Sequence, residues 1–170
     1  MIISLIGYMG SGKSHVSKFL SKHLNFDLID LDNAISLEEK REISEIFKKS
    51  GEIYFRKVEK QMLEKIVNSD KNIVISLGGG TPVYYDNINT INEKTISVYL
   101  RAKIGTLAER LASNKAKRPL IAQLEDEELP EFIAKHLFER NAYYNQAQII
   151  IDTDNKTPEE IVKEITEKIY

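Results

Sequence analysis

The segment GYMGSGKS, which begins at Gly7, matches the phosphate-binding pattern Gly-x4-Gly-Lys-Ser/Thr and predicts a site for a nucleoside triphosphate. Gly7, Gly10 and Gly12 allow positive φ angles and a close approach of the backbone to an anion. Consecutive backbone N–H groups and the positive end of the following helix then surround a polyphosphate. We expect the Lys13 ammonium to reach the β- and γ-phosphate oxygens and the Ser14 hydroxyl to hold Mg²⁺.

The elements on either side of this loop are those that a phosphate-binding loop requires. An apolar run of six residues before it predicts a buried strand, and residues 14–24 predict a helix because Val16, Leu20 and Leu24 recur on one face. The alternative is a glycine-rich turn that contains a lysine by chance. The strand and the helix together favour the nucleotide site.

Length, charge and cysteine content exclude several classes of function. The 170 residues fit one compact domain, 1–170, and the 24 basic and 26 acidic residues give a net charge of −2. This charge makes no electrostatic case for nucleic acid or a membrane surface as a partner. The lack of cysteine excludes a disulfide framework, a thiolate nucleophile and a zinc–thiolate site. No signal peptide or membrane span is predicted, so we expect a monomeric cytoplasmic enzyme.

Strands and helices alternate along the chain, which predicts an α/β fold with a parallel sheet covered on both faces. The predicted strands are residues 1–6, 26–29, 72–77, 95–100 and 148–151. The predicted helices are residues 14–24, 33–37, 42–49, 52–67, 82–91, 104–111, 130–145 and 158–170. Residues 113–119 are polar, basic and interrupted by proline, which predicts a loop.

Three groups of residues fall at the carboxyl edge of the predicted sheet, where such proteins bind their ligands. The phosphate-binding loop follows the first strand, Asp30 and Asp32 follow the second, and Gly78, Gly79 and Gly80 follow the third. Asp32 fits a helix N-cap and a ligand site equally well. The three glycines favour a site, because each needs φ freedom or a close backbone approach.

Basic residues further along the chain are less informative one by one. Arg56 and Arg140 lie on predicted helices, where solvated surface cations are the favoured interpretation. Arg118 lies in the predicted loop and is better placed to contact a phosphate. The sequence contains no Ser-His-Asp or metalloprotease pattern, and residues 114–117 (NKAK) lack the closing Asp of a guanine-binding motif.

Taken together, the motifs resemble those of the shikimate kinases over nearly the whole chain. The phosphate-binding loop alone fits many functions, but its combination with Asp-x-Asp, Phe-Arg-x-x-Glu, Leu-Gly-Gly-Gly and Arg-Pro-Leu is specific. The segments that carry the resemblance are GYMGSGKS (7–14), LIDLD (28–32), SGEIYFRKVE (50–59), SLGGGTP (76–82), KRPL (117–120), ERNAYY (139–144) and IDTDNKTPEEIV (151–162).

The resemblance implies a P-loop kinase of the nucleoside-monophosphate-kinase type that uses ATP and Mg²⁺. It implies phosphorylation of the 3-hydroxyl of shikimate, in the route to chorismate and the aromatic amino acids. Within the single domain it implies a mobile lid at about residues 112–124 and a substrate-binding helical segment at about residues 32–60.

The resemblance also implies roles for individual residues. The residues implied for shikimate are Asp32, Arg56, Gly78, Gly79, Gly80 and Arg140. Those implied for ATP are Gly10, Ser11, Gly12, Lys13, Ser14, His15, Arg110, Arg118 and Asp154. Lys13, Asp32 and Arg118 are the implied catalytic residues, and Ser14 and Asp30 are implied for the metal.

Two other functions remain open at this point. One is a kinase of the same architecture with another acceptor, such as gluconate or a nucleoside monophosphate; the two arginines with the glycine triplet argue against it. The other is a regulatory switch that binds nucleotide and controls a partner. Such a switch would hydrolyse nucleotide slowly, at a rate that no small acceptor changes.

Overall fold

A parallel sheet of five strands organises the protein, whose computed structural model describes residues 1–170. The strands are β1 (Ile2–Ile6), β2 (Asp27–Asp30), β3 (Ile73–Ser76), β4 (Ile96–Arg101) and β5 (Ile149–Asp152). Their order across the sheet is β2-β3-β1-β4-β5, and all neighbours are parallel. The predicted five-stranded parallel sheet is therefore confirmed.

Seven α-helices connect and follow these strands. They are α1 (Lys13–Leu24), α2 (Leu31–Glu39), α3 (Ile43–Val67), α4 (Asn87–Lys94), α5 (Ile104–Ala112), α6 (Leu129–Tyr144) and α7 (Pro158–Ile169). Short 3-10 turns occur at Thr81–Val83, Lys115–Lys117 and Asp126–Glu128. None of the helices combines the length and the apolar character that crossing a membrane requires.

The sheet has an apolar layer on each face. Ile3 and Leu5 of β1 pack with α1 and α7, whereas Ile2 and Ile6 belong to the larger cluster formed with α2 to α6. Successive strand residues point to opposite faces, so a central parallel strand needs apolar side chains at nearly every position. All five residues of β1 are buried. The phosphate-binding loop therefore begins from a fully buried central strand of the sheet.

The predicted break between two helices at residues 50–51 is present as a sharp kink within α3. Gly51 has φ 85° and ψ 170°, between helical residues on either side. This backbone region is open essentially to glycine alone. The kink changes the direction of the chain just before Arg56, so that the second half of α3 runs alongside the segment that follows β3.

The helix predicted at residues 82–91 is wrong in its first half. Thr81–Val83 forms a 3-10 turn, Tyr85 and Asp86 have φ angles of 50° and 55°, and α4 begins only at Asn87. The buried Asn87 side chain donates a hydrogen bond to the Thr81 carbonyl oxygen at 2.9 Å. This bond stabilises the turn. Pro82 by itself is compatible with the first turn of a helix, so the helix was predicted to begin too early.

Candidate active site

A cavity of about 670 Å³ opens at the carboxyl edge of the sheet, beside the phosphate-binding loop. It gathers residues from the ends of β1, β2 and β3 and from the segment after α5. The predicted site residues that line it are Gly10, Ser11, Gly12, Lys13, Ser14, His15, Asp30, Asp32, Gly78, Gly79, Arg110 and Arg118. Its volume is within the range of small-ligand sites in proteins.

The phosphate-binding loop uses its glycines for two different reasons. Gly10 and Gly12 have φ angles of 80° and 93°, which non-glycine residues rarely adopt, and α1 begins at the next residue. The prediction of a positive φ at Gly7 is wrong. A Cβ on Gly7 would lie 2.5 Å from the Ser11 hydroxyl and 3.0 Å from the Leu100 carbonyl oxygen, so lack of space requires glycine there.

The Lys13 ammonium lies folded back over this loop. Its Nζ donates to the carbonyl oxygens of Gly7 at 2.6 Å and Tyr8 at 3.1 Å. Burial lowers the pKa of Lys13 to about 8, while the nearby Asp32 carboxylate opposes the shift. A polyphosphate in the cavity would supply the anionic partner that this half-buried ammonium lacks.

Two acidic residues at the start of α2 have separate environments. Asp30 is the exposed N-cap, and its Oδ1 accepts from the Asn33 backbone N–H at 2.9 Å. The N-cap interpretation of Asp32 is therefore wrong, since Asp30 takes that position. Asp32, two residues further along the chain, also lines the cavity. Its pKa is raised to about 6, first by burial and then by the Glu59 and Asp30 carboxylates.

The glycine triplet provides space for charged side chains rather than unusual φ angles. A Cβ on Gly78 would lie 3.2 Å from Asp32 Oδ1. One on Gly79 would lie 2.8 Å from Arg140 Nη1, and one on Gly80 would lie 2.7 Å from Arg56 Nη2. The sequence suggested that these glycines are needed either for φ freedom or for a close approach to the backbone. None of the three has a positive φ, so close approach is the reason that applies.

Arg56 is a nearly buried, fixed cation, so its interpretation as a solvated surface residue is wrong. Its side chain is 11% exposed, and its Nη1 donates to Glu59 Oε1 at 2.9 Å. The Tyr84 ring covers the guanidinium, with 4.1 Å from Cζ to the ring centroid. Arg140 is half-buried on α6 beside Gly79. The structure thus brings both arginines to the glycine triplet.

Glu59 is a residue of the site to which the sequence assigned no role. It is 1% exposed and accepts hydrogen bonds from Arg56 Nη1 at 2.9 Å and Thr81 Oγ1 at 2.8 Å. A buried carboxylate of this kind holds Arg56 in place, because removing either partner would leave an uncompensated charge. The signal for it was the Arg-x-x-Glu spacing, which puts both side chains on one face of a helix.

Arg110 and Asp154, which the resemblance implies for ATP and specifically for its adenine, differ in position. Arg110 lines the cavity, and its Nη1 donates to the Gly10 carbonyl oxygen at 3.1 Å. Asp154 does not line the cavity, since its carboxylate accepts from the Thr106 hydroxyl at 2.5 Å and from the Lys103 backbone N–H at 3.1 Å. Lys156, from the same segment that the resemblance implies for adenine (residues 152–158), lines the cavity instead.

Comparison with known proteins agrees with this geometry. A family model described as shikimate kinase matches residues 9–170. Shikimate kinases from Flavobacterium johnsoniae and Flavobacterium psychrophilum are 49% and 43% identical to the chain; the alignments cover 96% and 99% of this chain and 95% and 98% of those proteins.

Solved structures give the same result. The crystal structure of a shikimate kinase from Bacteroides thetaiotaomicron superposes with a TM-score of 0.92 at 36% identity, covering 99% of this chain and 98% of that chain. A shikimate kinase from Acinetobacter baumannii, solved in complex with shikimate, superposes with a TM-score of 0.89 at 28% identity, covering 99% of this chain and 92% of that chain. The chain therefore belongs to the shikimate kinase family of phosphotransferases.

Proposed function

We propose that the protein transfers the γ-phosphoryl group of ATP to the 3-hydroxyl of shikimate. The observation that carries this proposal is the placement of Arg56 and Arg140 against the glycine triplet, with Asp32 against the same triplet and in the cavity that the phosphate-binding loop lines. A planar carboxylate suits two guanidinium groups, each of which can donate two parallel hydrogen bonds. Nucleoside monophosphates have no carboxylate and fit this arrangement less well. Gluconate does have one, so the identity of the acceptor must be tested directly.

In this proposal Arg56 is the more rigid of the two acceptor-binding arginines. Glu59 and the Tyr84 ring hold its guanidinium on two sides. Gly78, Gly79 and Gly80 leave room close to the backbone for the two guanidinium groups and the Asp32 carboxylate. Positioning of this kind lowers the barrier because the reacting hydroxyl is held near its target before chemistry begins.

Asp32 is the proposed acceptor of the hydroxyl proton. Its raised pKa makes its carboxylate a stronger base than an ordinary aspartate, while it remains largely ionised at neutral pH. Lys13 and Arg118 lie in the same cavity and would neutralise charge on the transferring phosphoryl group. Transfer then needs alignment and charge neutralisation rather than a covalent intermediate.

The residues that would hold Mg²⁺ are Ser14 and Asp30. Both line the cavity, and the Asp30 carboxylate has one oxygen free because the other caps α2. These oxygen donors fit Mg²⁺, which prefers one or two protein oxygens together with phosphates and water. When bound, Mg²⁺ neutralises charge on the β- and γ-phosphates.

Residues 112–124 are the proposed lid, and residues 32–60 the proposed acceptor-binding segment, of one domain. The guanidinium of Arg118 forms no hydrogen bond or ion pair in this structure, although it faces the cavity. Ile121 is fully buried and anchors the far part of the segment. A lid hinged in this way would exclude water, which competes with the acceptor for the phosphoryl group.

We further propose that the protein acts as a cytoplasmic monomer with shikimate and ATP as its small-molecule partners and without nucleic acid or a membrane. The net charge of −2 supports this, because nucleic acid and anionic membrane surfaces attract proteins with an excess of basic residues.

The direct test of the proposed function is an ADP-release assay with ATP and Mg²⁺ against a panel of acceptors. We expect shikimate to be turned over with a kcat/KM far above that of quinate, gluconate or a nucleoside monophosphate, because the two guanidinium groups and Asp32 must all be engaged. Equal or better turnover of another acceptor would contradict the proposal. Slow hydrolysis that no acceptor changes would indicate a regulatory switch.

Replacing Asp32 by Asn tests its role as the proton acceptor. We expect kcat to fall by about 10²- to 10⁴-fold, the usual contribution of a general base. In the parent enzyme, kcat/KM for shikimate should decrease as the pH falls below about 6, because the protonated carboxyl group cannot accept a proton. A variant that keeps near-parental turnover would exclude Asp32 as the base.

The same variant has a stability signature with a defined sign. Because folding raises the pKa of Asp32, its ionised carboxylate destabilises the folded state at pH values above about 6. Asp32→Asn should therefore unfold at a higher temperature than the parent at pH 7.5. The difference should shrink as the pH falls to about 4, near the ordinary pKa of aspartate, and thermal unfolding at both pH values measures it.

Replacing Arg118 by Ala separates transition-state stabilisation from nucleotide binding. We expect the single-turnover rate to fall by about 10³-fold or more, as for other arginines that contact a transferring phosphoryl group, while the ATP dissociation constant changes little. Lys117→Ala is the matched control, since Lys117 is an exposed neighbouring cation that does not line the cavity. A rate for Arg118→Ala within a few-fold of the control would make Arg118 a surface cation.

A further inference from the structure

Tyr8, the second residue of the phosphate-binding loop, connects that loop to α6. Its side chain is 1% exposed, and its hydroxyl lies 3.0 Å from Nδ1 of His136. Its backbone carbonyl oxygen accepts a hydrogen bond from Lys13 Nζ at 3.1 Å. One residue therefore contacts the phosphate-binding lysine through its backbone and a helix 128 positions away through its side chain.

The face of α6 that Tyr8 contacts also carries Arg140. His136 and Arg140 are four residues apart and so lie on the same face of α6. The Arg140 guanidinium carbon is 5.8 Å from the centroid of the Tyr8 ring, within the range of a cation–π contact. Tyr8 thus touches two successive turns of α6, by a hydrogen bond at one and through its ring face at the other.

The charge states of this cluster follow from its burial. Burial raises the pKa of Tyr8 to about 12, and burial together with the Arg140 charge lowers the pKa of His136. At neutral pH a neutral phenol therefore faces a neutral imidazole, and one hydrogen bond joins them in either ring tautomer. The other ionisable groups that act on the pair are Glu139, Arg118 and Tyr144.

A purely apolar contact between the loop and α6 would fix the orientation of the helix less tightly than a hydrogen bond does. The ring of Phe132 packs edge-on against His136 with centroids 5.5 Å apart, and such contacts tolerate rotation. A hydrogen bond weakens steeply when its donor and acceptor are misaligned. The Tyr8–His136 bond therefore restricts the rotation of α6 about its own axis, and this rotation decides where Arg140 points.

We propose that Tyr8 and His136 are positioning residues that help to hold Arg140 at the glycine triplet, alongside the Tyr144 hydroxyl, which donates to the Gly79 carbonyl oxygen at 2.6 Å and lies 3.5 Å from Arg140 Nη1. This inference rests on the proposed function, in which Arg140 binds the acceptor. Neither residue touches the reacting atoms. Their effect is on the affinity for the acceptor rather than on the chemical step.

A double-mutant cycle tests this role. Tyr8→Phe and His136→Leu should each raise the KM for shikimate by about five-fold, the net worth of one neutral hydrogen bond, with less than a two-fold change in kcat and in the KM for ATP. The double variant should be no worse than either single variant, because both remove the same bond. Phe132→Leu, which trims a neighbouring ring without touching the bond, should change the KM for shikimate less than two-fold.

His136→Asn supplies a pH readout that a structural role would not give. Its amide keeps a hydrogen-bonding group near the position of Nδ1 but does not titrate, so the KM for shikimate should be restored at pH 7.5. As the pH falls well below 6.5, the ordinary pKa of histidine, an imidazolium forms beside Arg140 in the parent and should raise its KM relative to that of His136→Asn. Asp32 titrates in both proteins, so its effect on KM cancels in the ratio of the two KM values.

The outcomes distinguish the inference from the proposed function. Arg140→Lys should raise the KM for shikimate, and adding Tyr8→Phe to it should cause no further rise. If Arg140→Lys has this effect but Tyr8→Phe alone stays within two-fold of the parent, or if the two effects multiply, the proposed function stands and the positioning role is overturned. A parent enzyme that does not phosphorylate shikimate overturns the proposed function and the inference together.

Discussion

The space left by three missing side chains is the constraint on which the acceptor side of the site depends. Asp32, Arg140 and Arg56 occupy positions within 3.2 Å of where Cβ atoms on Gly78, Gly79 and Gly80 would lie. Any larger residue would displace a charged group from the edge of the sheet. The segment after β3 therefore contains three glycines because side chains there would occupy the space of these charged groups, and the φ angles of the three glycines are not positive.

Charge balance explains how so many ionisable groups share this edge. Glu59 is buried and bonded to both Arg56 and Thr81, so it compensates a guanidinium that would otherwise be costly to bury. The same carboxylate helps raise the pKa of Asp32, and Asp32 in turn opposes the lowering of the pKa of Lys13. A charged group whose surroundings disfavour its charge lowers the stability of the fold. Such groups are common at functional sites, where they act as a base or bind an anion.

The fold and the nucleotide loop could be predicted from the sequence because their signals are local. Apolar strands alternate with amphipathic helices, and GYMGSGKS fits one structural context. The errors concern contacts between distant segments. Arg56 appeared to be a surface cation because the Tyr84 ring that covers it, and Thr81, which bonds to its partner Glu59, come from the segment after β3. The turn before α4 was missed because a side-chain bond from Asn87 closes it. The Tyr8–His136 pair joins residues 128 positions apart, which no spacing rule reveals.

The central claim is that the bare glycine surface sets the position of the acceptor-binding arginines, and the affinity of Gly80→Ala for shikimate tests it most directly. Gly80 has φ −88° and ψ −15°, which alanine adopts without strain, so the added methyl group acts only on the Arg56 guanidinium. We predict a folded protein whose shikimate dissociation constant, measured by calorimetry, rises about ten-fold or more, the loss expected when a charge-assisted hydrogen bond is displaced. Its ATP affinity should be unchanged, and Gly105→Ala, with no atoms near its added methyl group, should match the parent. A folded Gly80→Ala protein with parental affinity for shikimate would contradict the claim.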